Sequence, residues 1–196
     1  MKWVYSCLLI PAYSAGFGQY RIDTALQNKI ADMFKADQKW RLESMKIQSG
    51  KRSDFDGATI NRNMAAADSL NMIEAKMIIK KYGFPGYSLA GIPGSDNFWA
   101  IVQHCDNDLL FQEKALVLMA RQVKKHNAAP DKFALLQDRV LVSQGHKQLY
   151  GTQIHIDLKT HEAKPFPIQD SLNVDNRRKT VGLSPLSDYL KLFNKH

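Results

Sequence analysis

Apolar residues recur at helical spacing along most of the chain, and this pattern predicts a mainly helical protein. A first helix is predicted over about residues 20 to 47. Its apolar stripe comprises Ile22, Leu26, Ile30, Met33 and Trp40. A second helix is predicted from about Asn61 to Tyr82, with Gly83 as the expected C-cap. The apolar positions of this second helix are Met64, Leu70, Ile73 and Met77.

The middle of the chain alternates between irregular and helical stretches. Residues 84–94 contain two prolines and three glycines, so they are predicted to be irregular, and Ser95 is the expected N-cap of the next helix. That helix is expected to end near Cys105, and Asp108 to cap the one that follows. The two later helices are predicted over about Leu109 to His126 and Pro130 to Ser143.

The region from Gln148 to Leu158 changes to the alternation of a β-strand. The segment Phe166-Pro167-Ile168 is predicted to fold back against it as a hairpin, although its prolines favour an edge strand. Two short helices follow, one near Asp175 and one that begins at Ser184-Pro185. The predicted fold class is therefore mainly α (α+β), a single-domain helical bundle over residues 19–196 with a small β-hairpin near residues 148–168.

Composition narrows the class of protein. The chain has 196 residues, of which 44% are hydrophobic and 23% charged, as expected for one globular domain. Its formal charge of +8 comes from 27 Lys and Arg against 19 Asp and Glu. The basic clusters fall near predicted helix C-termini, where cations offset the helix dipole, and they are not interleaved with aromatic residues. We therefore expect no nucleic-acid partner.

The N-terminus has the order of a secretory signal. A positive start at Met1-Lys2 precedes an apolar run from Trp3 to Ala12, and small residues follow at residues 14–18. We expect residues 1–18 to be a signal peptide and the protein to be exported, to the periplasm or outside a bacterial cell. The alternative is a buried N-terminal strand. The apolar run is too short to span a bilayer, so no membrane span is expected in the mature chain.

One helical turn carries the best candidate chemistry. Phe98, Ile101, Val102 and Cys105 form an apolar stripe, and Gln103, His104 and Asp106 lie beside it within one turn. A polar group near a core needs a partner, so this turn predicts either a pocket rim or a satisfied structural site. In the first case His104 is a general acid/base that Asp106 or Asp138 orients; in the second it is a core imidazole and Asp106 a cap.

Other polar residues extend this candidate site. Asp37 interrupts the apolar stripe of the first helix, and a carboxylate in that position is usually paired or functional. The segment from Gln148 to Gln153 is rich in uncharged hydrogen-bonding groups and is expected to form a second wall, or else a plain polar edge strand. Cys105 is expected to be an inert buried thiol.

Two further kinds of site are weighed against these. Gly86-Tyr87-Ser88-Leu89-Ala90 falls one glycine short of a nucleophile elbow and lacks the strand that should precede it, so it is rejected. The potential metal ligands show no recognised zinc spacing, so no metal and no cofactor are predicted. These potential ligands are His104, Asp106, Asp138, His146, His155 and His161.

The order of these polar blocks resembles an uncharacterised bacterial family that is known only as a domain of unknown function. The blocks are Trp99-x-x-x-Gln103-His104-x-Asp106, Asp138-Arg139-Val140 and Gln148-Leu149-Tyr150-Gly151-Thr152-Gln153, and the resemblance runs from about Asp37-Gln38 to Tyr189. It implies no activity. A signature made of polar rather than core residues favours a shared pocket.

The leading hypothesis is a hydrolase-like pocket enzyme or a binder of a small molecule or peptide, centred on His104. The proposed catalytic residues are His104, Asp106 and Asp138. The proposed ligand-binding residues are Asp37, Gln38, Trp99, Gln103, Arg139, Gln148, Tyr150, Thr152 and Gln153. The alternative is a non-catalytic recognition domain in which the same residues form a structural polar network. The oligomeric state is left open.

Overall fold

A computed structural model describes residues 22–157 and 162–194; the predicted signal peptide and His161 lie outside them. Over this part of the chain the protein is 67% helical, with seven α-helices and a small two-stranded antiparallel sheet, as the sequence predicts. The helices are α1 (Thr24–Gln48), α2 (Gly57–Tyr82), α3 (Tyr87–Gln103), α4 (Leu109–Val123), α5 (Pro130–Ser143), α6 (Val174–Thr180) and α7 (Leu186–Lys191). The strands are β1 (Ile154–Ile156) and β2 (Ala163–Pro165).

The core lies where α3 is covered by the other long helices. α1 packs along both α2 and α3, and α4 packs along α5. The rings of Phe84 and Phe98 meet edge to face at 5.5 Å, an arrangement that aromatic pairs prefer. α3 is thus the central helix, and its C-terminal end lies near both helix pairs.

Aspartate side chains determine where three of the long helices begin. Asp23, Asp56 and Asp108 each accept a hydrogen bond from the backbone N–H three residues later, at 2.8 to 3.0 Å. These bonds satisfy N–H groups that have no partner within the helix. The predicted cap at Asp108 is confirmed, and it follows directly on the end of α3 at His104.

The predicted buried face of α2 is wrong. Leu70, Ile73 and Met77 are 66%, 55% and 49% exposed, whereas Ala75 is fully buried. The side chain of Asn71, one turn before Ala75 on the same face, donates to the backbone oxygen of Met33 on α1 at 3.0 Å. The face that packs against α1 therefore carries the polar Asn71 and the small Ala75, and larger apolar side chains turn to solvent.

The prediction that residues 84–94 are irregular is also wrong, because α3 already begins at Tyr87. Gly91 has φ 70° and interrupts the helix with a kink, and Pro93 lies in the first turn after it, where a backbone N–H has no helical partner. The side chain of Gln27 donates to the freed carbonyl oxygen of Ala90 at 3.0 Å. Ser95 is buried inside the helix and is not its cap.

The predicted strand from Gln148 to Leu158 is mostly wrong as well. Only residues 154–156 pair with β2, with Ile154 opposite Pro165. The preceding residues 148–153, here called the Asp138 loop, wrap around the carboxylate of Asp138. That buried carboxylate accepts from the backbone N–H groups of Leu149, Tyr150 and Thr152, so these groups are not free for a strand.

Gly151 allows the Asp138 loop to turn. Its φ is 71°, and a Cβ there would lie 2.9 Å from the side chains of Ile168 and Leu186. The loop then leads into β1, while α6 and α7 pack beneath it near the predicted positions. Among the described helices, none combines the length and the apolar character that a membrane span requires.

We expect Asp138→Asn to lower the free energy of unfolding by about 3 kcal/mol, because an amide nitrogen would face backbone donors that a carboxylate oxygen now accepts. Urea unfolding followed by circular dichroism measures this. Asp188→Asn, which removes an exposed partner of Lys191, is the matched control and should change stability by less than about 0.5 kcal/mol. Equal effects of the two substitutions would contradict the role given to Asp138.

Candidate functional site

His104 is the residue at which α3 ends. It is the C-cap of that helix, and its backbone N–H bonds to the carbonyl oxygen of Ile101 in a final tight turn. The chain then turns through Asp106 and Asn107 to the cap of α4 at Asp108. The imidazole is therefore attached to a rigid helix terminus rather than to a free loop.

The side chain of His104 is bonded to a buried carboxylate on α1. Its Nδ1 lies 2.7 Å from Oδ1 of Asp37, and Asp37 is only 1% exposed. A carboxylate at the core-facing position of a long helix is held at a fixed depth and angle. Asp106 or Asp138 is the predicted partner that orients His104, but in the structure this partner is Asp37.

His104 and two neighbours on α1 keep Asp37 ionised. Arg41 Nε lies 3.2 Å from Oδ1, and Gln38 Nε2 donates to Oδ2 at 2.7 Å. Burial alone would raise the pKa of Asp37. The hydrogen bond and charge of His104, the charge of Arg41 and the bond from Gln38 outweigh burial, so the pKa lies below its ordinary value.

The ionised state of Asp37 determines the tautomer of His104. An ionised carboxylate can only accept hydrogen bonds, so Nδ1 must carry the proton that lies between the two residues. In the neutral imidazole, Nε2 then holds the free lone pair. Among the described residues, no hydrogen-bond partner is seen for Nε2.

Arg41 also bridges Asp37 to Asp68 on α2. Its Nη2 donates to Oδ1 of Asp68 at 2.6 Å. Burial raises the pKa of Asp68, and the charge and hydrogen bond of Arg41 only partly oppose this. Oxygen and nitrogen atoms of Asp37, Asp68 and His104 come within 4.8 Å of one another, which is the spacing of a metal site. Arg41, a permanent cation, is bonded to both carboxylates and offsets one of their two charges, so the geometry favours an ion-pair network over a metal site.

A cavity of about 380 Å³ lies beside His104. Its wall is formed by four parts of the fold: α3, α5, the Asp138 loop with β1, and the region of α7. The lining residues are Trp99, Ala100, Gln103, His104, Leu135, Arg139, Thr152, Gln153, Ile154, Tyr189 and Phe193. The turn at the end of α3 and the Asp138 loop, which are remote in sequence, thus face the same space.

A chain of hydrogen bonds from Asp106 through Arg139 to Gln103 supports one wall of the cavity. Asp106 holds Arg139 through two hydrogen bonds of 2.9 and 3.0 Å, and Arg139 Nε donates to Oε1 of Gln103. Asp106 also accepts from Gln112, which is buried beneath the turn. Asp106 therefore positions Arg139 and Gln103, and its carboxylate is not directed to His104.

The remaining predicted site residues lie behind the cavity wall. Asp138 holds the Asp138 loop, as described above. Gln148 is fully buried, and its side-chain nitrogen donates to the carbonyl oxygens of Gln153 and Phe166 at 2.9 Å. Tyr150 is held through its backbone, which bonds to Asp138 and to Arg178. These three residues shape the wall and do not line the cavity.

Several residues of the site were not among the predictions. Tyr189 and Phe193 form an aromatic wall, with their rings 5.2 Å apart, and Tyr189 Oη donates to the carbonyl oxygen of Thr152 at 3.0 Å. No spacing signal links them to His104. Arg41, by contrast, stands four residues after Asp37, which is the spacing of an ion pair on a helix, so the sequence did carry its signal.

The buried thiol is not a candidate nucleophile. Cys105 lies beneath the turn, and its sulfur donates to the carbonyl oxygen of Ile101. Burial, with smaller contributions from nearby carboxylates, raises the pKa of this thiol to about 12. The thiolate that nucleophilic chemistry requires is therefore scarce at neutral pH.

We expect Asp37→Asn to destabilise the protein by about 3 kcal/mol at pH 7 and by less in acid. Because the folded pKa of Asp37 is lowered, its carboxylate contributes stability above the unfolded pKa of about 4, and that contribution is lost as the pH falls through the folded pKa. Urea unfolding of both proteins at pH 7, 5 and 3 measures the difference. Asp68 is present in both proteins, but the charge of Asp37 helps to raise its pKa, so Asp68 adds a contribution of opposite sign to the difference. A difference that stays constant or widens in acid would contradict this assignment.

Comparison with known proteins identifies a family but no activity. A model of a family of unknown function, DUF6624, matches residues 24–196. Neither the curated proteins nor the solved structures that were compared gave a match. The match spans every described element and all the residues of the site. The chain therefore belongs to the family of unknown function DUF6624.

Proposed function

We propose that this protein is a hydrolase-like pocket enzyme in which His104 is the general base for a small molecule or peptide bound in the cavity. The observation that carries the proposal is the 2.7 Å hydrogen bond between Nδ1 of His104 and the buried Oδ1 of Asp37. A carboxylate that orients a histidine at the edge of a cavity is the arrangement expected of a catalytic base.

The composition of the cavity wall favours His104 as the reacting base. Among the described residues that line the cavity, none besides His104 offers a catalytic base or a thiol: there is no carboxylate, no cysteine and no lysine. The Thr152 hydroxyl donates to Asp138 at 3.0 Å, so it is not poised as a nucleophile. The carboxylates that could bind a metal together with His104 are those of Asp37 and Asp68, and both are bonded to Arg41.

Water is therefore the nucleophile in the proposed reaction. The Nε2 lone pair of His104 takes a proton from water as the water oxygen bonds to the electrophilic carbon of the substrate, and the π electrons of that carbon's double bond move to its oxygen. When this intermediate collapses, the bond to the leaving group breaks. His104 then returns the proton to the leaving group, and the enzyme is regenerated.

Export to the periplasm or the medium is part of the same proposal. Its support is the charged start, apolar run and small residues of the first 18 positions. The substrate would then be met outside the cytoplasm, as cell-wall fragments are. The N-terminal sequence of the protein isolated from its source tests this, and a chain that still begins at Met1 would contradict it.

A recognition domain without catalysis is the second candidate. The observation that favours it is the number of polar residues that bond only to the protein, such as Asp138, Gln148 and Arg178. In that case the same cavity binds a ligand and leaves it unchanged. The two candidates differ in whether product forms.

A screen of metabolites and cell-wall fragments tests the proposal. Ligands that bind the folded protein raise its melting temperature, and mass spectrometry then shows whether each is hydrolysed. We expect His104→Ala to lower the rate by 100-fold or more, because general acid–base catalysis contributes about 10²- to 10⁴-fold. His146→Ala, which removes an exposed histidine outside the cavity wall, is the control and should leave the rate unchanged.

Two results would overturn catalysis by His104. Hydrolysis at the wild-type rate by a folded His104→Ala protein would remove the residue from the mechanism. Ligands that bind at the cavity but are never converted would favour the recognition domain. Circular dichroism of the variant separates loss of the base from loss of the fold.

A further inference from the structure

Two hydrogen-bond donors in the cavity wall have no partner. Among the described residues, Nε2 of Gln103 and Nε1 of Trp99 are buried nitrogens without a hydrogen bond. Both residues line the cavity, and they stand one turn apart on α3, next to His104. Leaving a buried donor unpaired destabilises a fold, so two of them at one wall point to a ligand atom that accepts from them.

The orientation of the Gln103 side-chain amide follows from its hydrogen bond with Arg139. Gln103 is only 6% exposed, and its Oε1 accepts from Arg139, which can only donate. A flipped amide would place its NH₂ group against the guanidinium, so the flipped state is excluded. Asp106 fixes Arg139 in turn through two hydrogen bonds. The unpaired end of Gln103 is therefore always a donor.

The charge balance of the wall disfavours an anionic ligand. Among the described residues that line the cavity, Arg139 is the only Lys or Arg, and its Nη1 is already paired with both carboxylate oxygens of Asp106. Carboxylate and phosphate ligands are usually held by unpaired cations, which this wall does not offer. An uncharged oxygen can accept from amide and indole N–H groups without such a cation.

Much of the remaining lining is apolar or aromatic. Trp99, Leu135 and Ile154 face the same cavity as the rings of Tyr189 and Phe193. These side chains gain from covering an apolar group and offer few hydrogen bonds to a strongly polar one. The ligand therefore has an apolar or aromatic portion next to its uncharged acceptor oxygen.

We propose that the substrate is an uncharged carboxylic ester or amide with an apolar substituent, and that its carbonyl oxygen accepts hydrogen bonds from Gln103 Nε2 and Trp99 Nε1. This inference rests on the proposed function, since it supplies the electrophile on which the His104-activated water acts. Both nitrogens are covered by protein in the structure, so the proposal requires the two side chains to rotate slightly when the ligand binds.

The two donors also suit the reaction. When water adds to the carbonyl carbon, the π electrons move to the carbonyl oxygen, which becomes negative. Donors that are held in place in a dry site stabilise this charge more than they stabilise the neutral carbonyl. Collapse of the intermediate yields a carboxylic acid and an alcohol or amine, so the products of both bond types are accounted for.

A matched set of aromatic probes tests the ligand class. The uncharged methyl benzoate and benzamide are titrated against benzoate and phenyl phosphate, and ¹H–¹⁵N spectra follow the side-chain amide of Gln103 and the indole N–H of Trp99. We expect the two uncharged probes to shift both signals and to bind at least tenfold more tightly than the two anions.

Gln103→Glu isolates the donor. The substitution keeps the shape of the side chain and its acceptor for Arg139, but it replaces the unpaired NH₂ group by oxygen. We expect the affinity for benzamide to fall about tenfold or more, the effect of losing a hydrogen bond of about 1.4 kcal/mol. Gln169→Glu adds the same charge at an exposed position and should leave the affinity unchanged.

The outcomes separate this inference from the proposed function. Equal or tighter binding of the anions, unchanged binding by Gln103→Glu, or no binding of the uncharged probes up to their solubility limit would each overturn the ester or amide class. The titrations measure binding only and are repeated with His104→Ala, which should retain affinity within about threefold. Failure of hydrolysis with the Gln103-dependent binding intact would overturn catalysis and leave the ligand class standing.

Discussion

The hydrogen bond between Asp37 and His104 joins the middle of α1 to the end of α3, and the rest of the site is arranged around it. A buried carboxylate is costly unless it is paired, and here Arg41, Gln38 and His104 together satisfy it. The same contacts direct the proton of the imidazole toward Asp37 and leave its other nitrogen for a ligand. The hydrogen bond that stabilises the buried charge of Asp37 thus also orients His104 as a base.

The other walls of the cavity are fixed by separate anchors. The Asp138 carboxylate accepts hydrogen bonds from the backbone of the Asp138 loop, and Asp106 accepts from Arg139, which also donates to Gln103. Neither carboxylate is bonded to His104. The three aspartates therefore have different roles: Asp37 binds the imidazole, Asp106 binds Arg139, and Asp138 binds the backbone of the Asp138 loop. Each anchor is a charged group with several hydrogen bonds, and such bonds are stronger than those between neutral groups.

Much of the fold could be predicted from local sequence, because caps such as Asp108 and apolar periodicity act over a few residues. The interruption of the α1 stripe by Asp37 also marked a residue of the site. The buried face of α2 could not be predicted, since it is the face with the small Ala75 and the polar Asn71, which bonds to α1, rather than the face with the large apolar side chains. The predicted strand from Gln148 is wrong because of another contact between residues distant in sequence. Asp138, more than ten residues earlier, accepts hydrogen bonds from the N–H groups that a strand would use. The pairing of Asp37 with His104 spans 67 residues, and only the tertiary fold brings the two together.

The protonation of the His104 ring tests this account most directly. In protein with ¹⁵N-labelled histidine, long-range ¹H–¹⁵N spectra distinguish protonated from unprotonated ring nitrogens. At a pH where the ring is neutral, we expect the proton on Nδ1 and the lone pair on Nε2, and we expect Asp37→Asn to remove this preference. A proton on Nε2 of His104 in the wild-type protein would contradict the account, because Asp37 would then not orient the base.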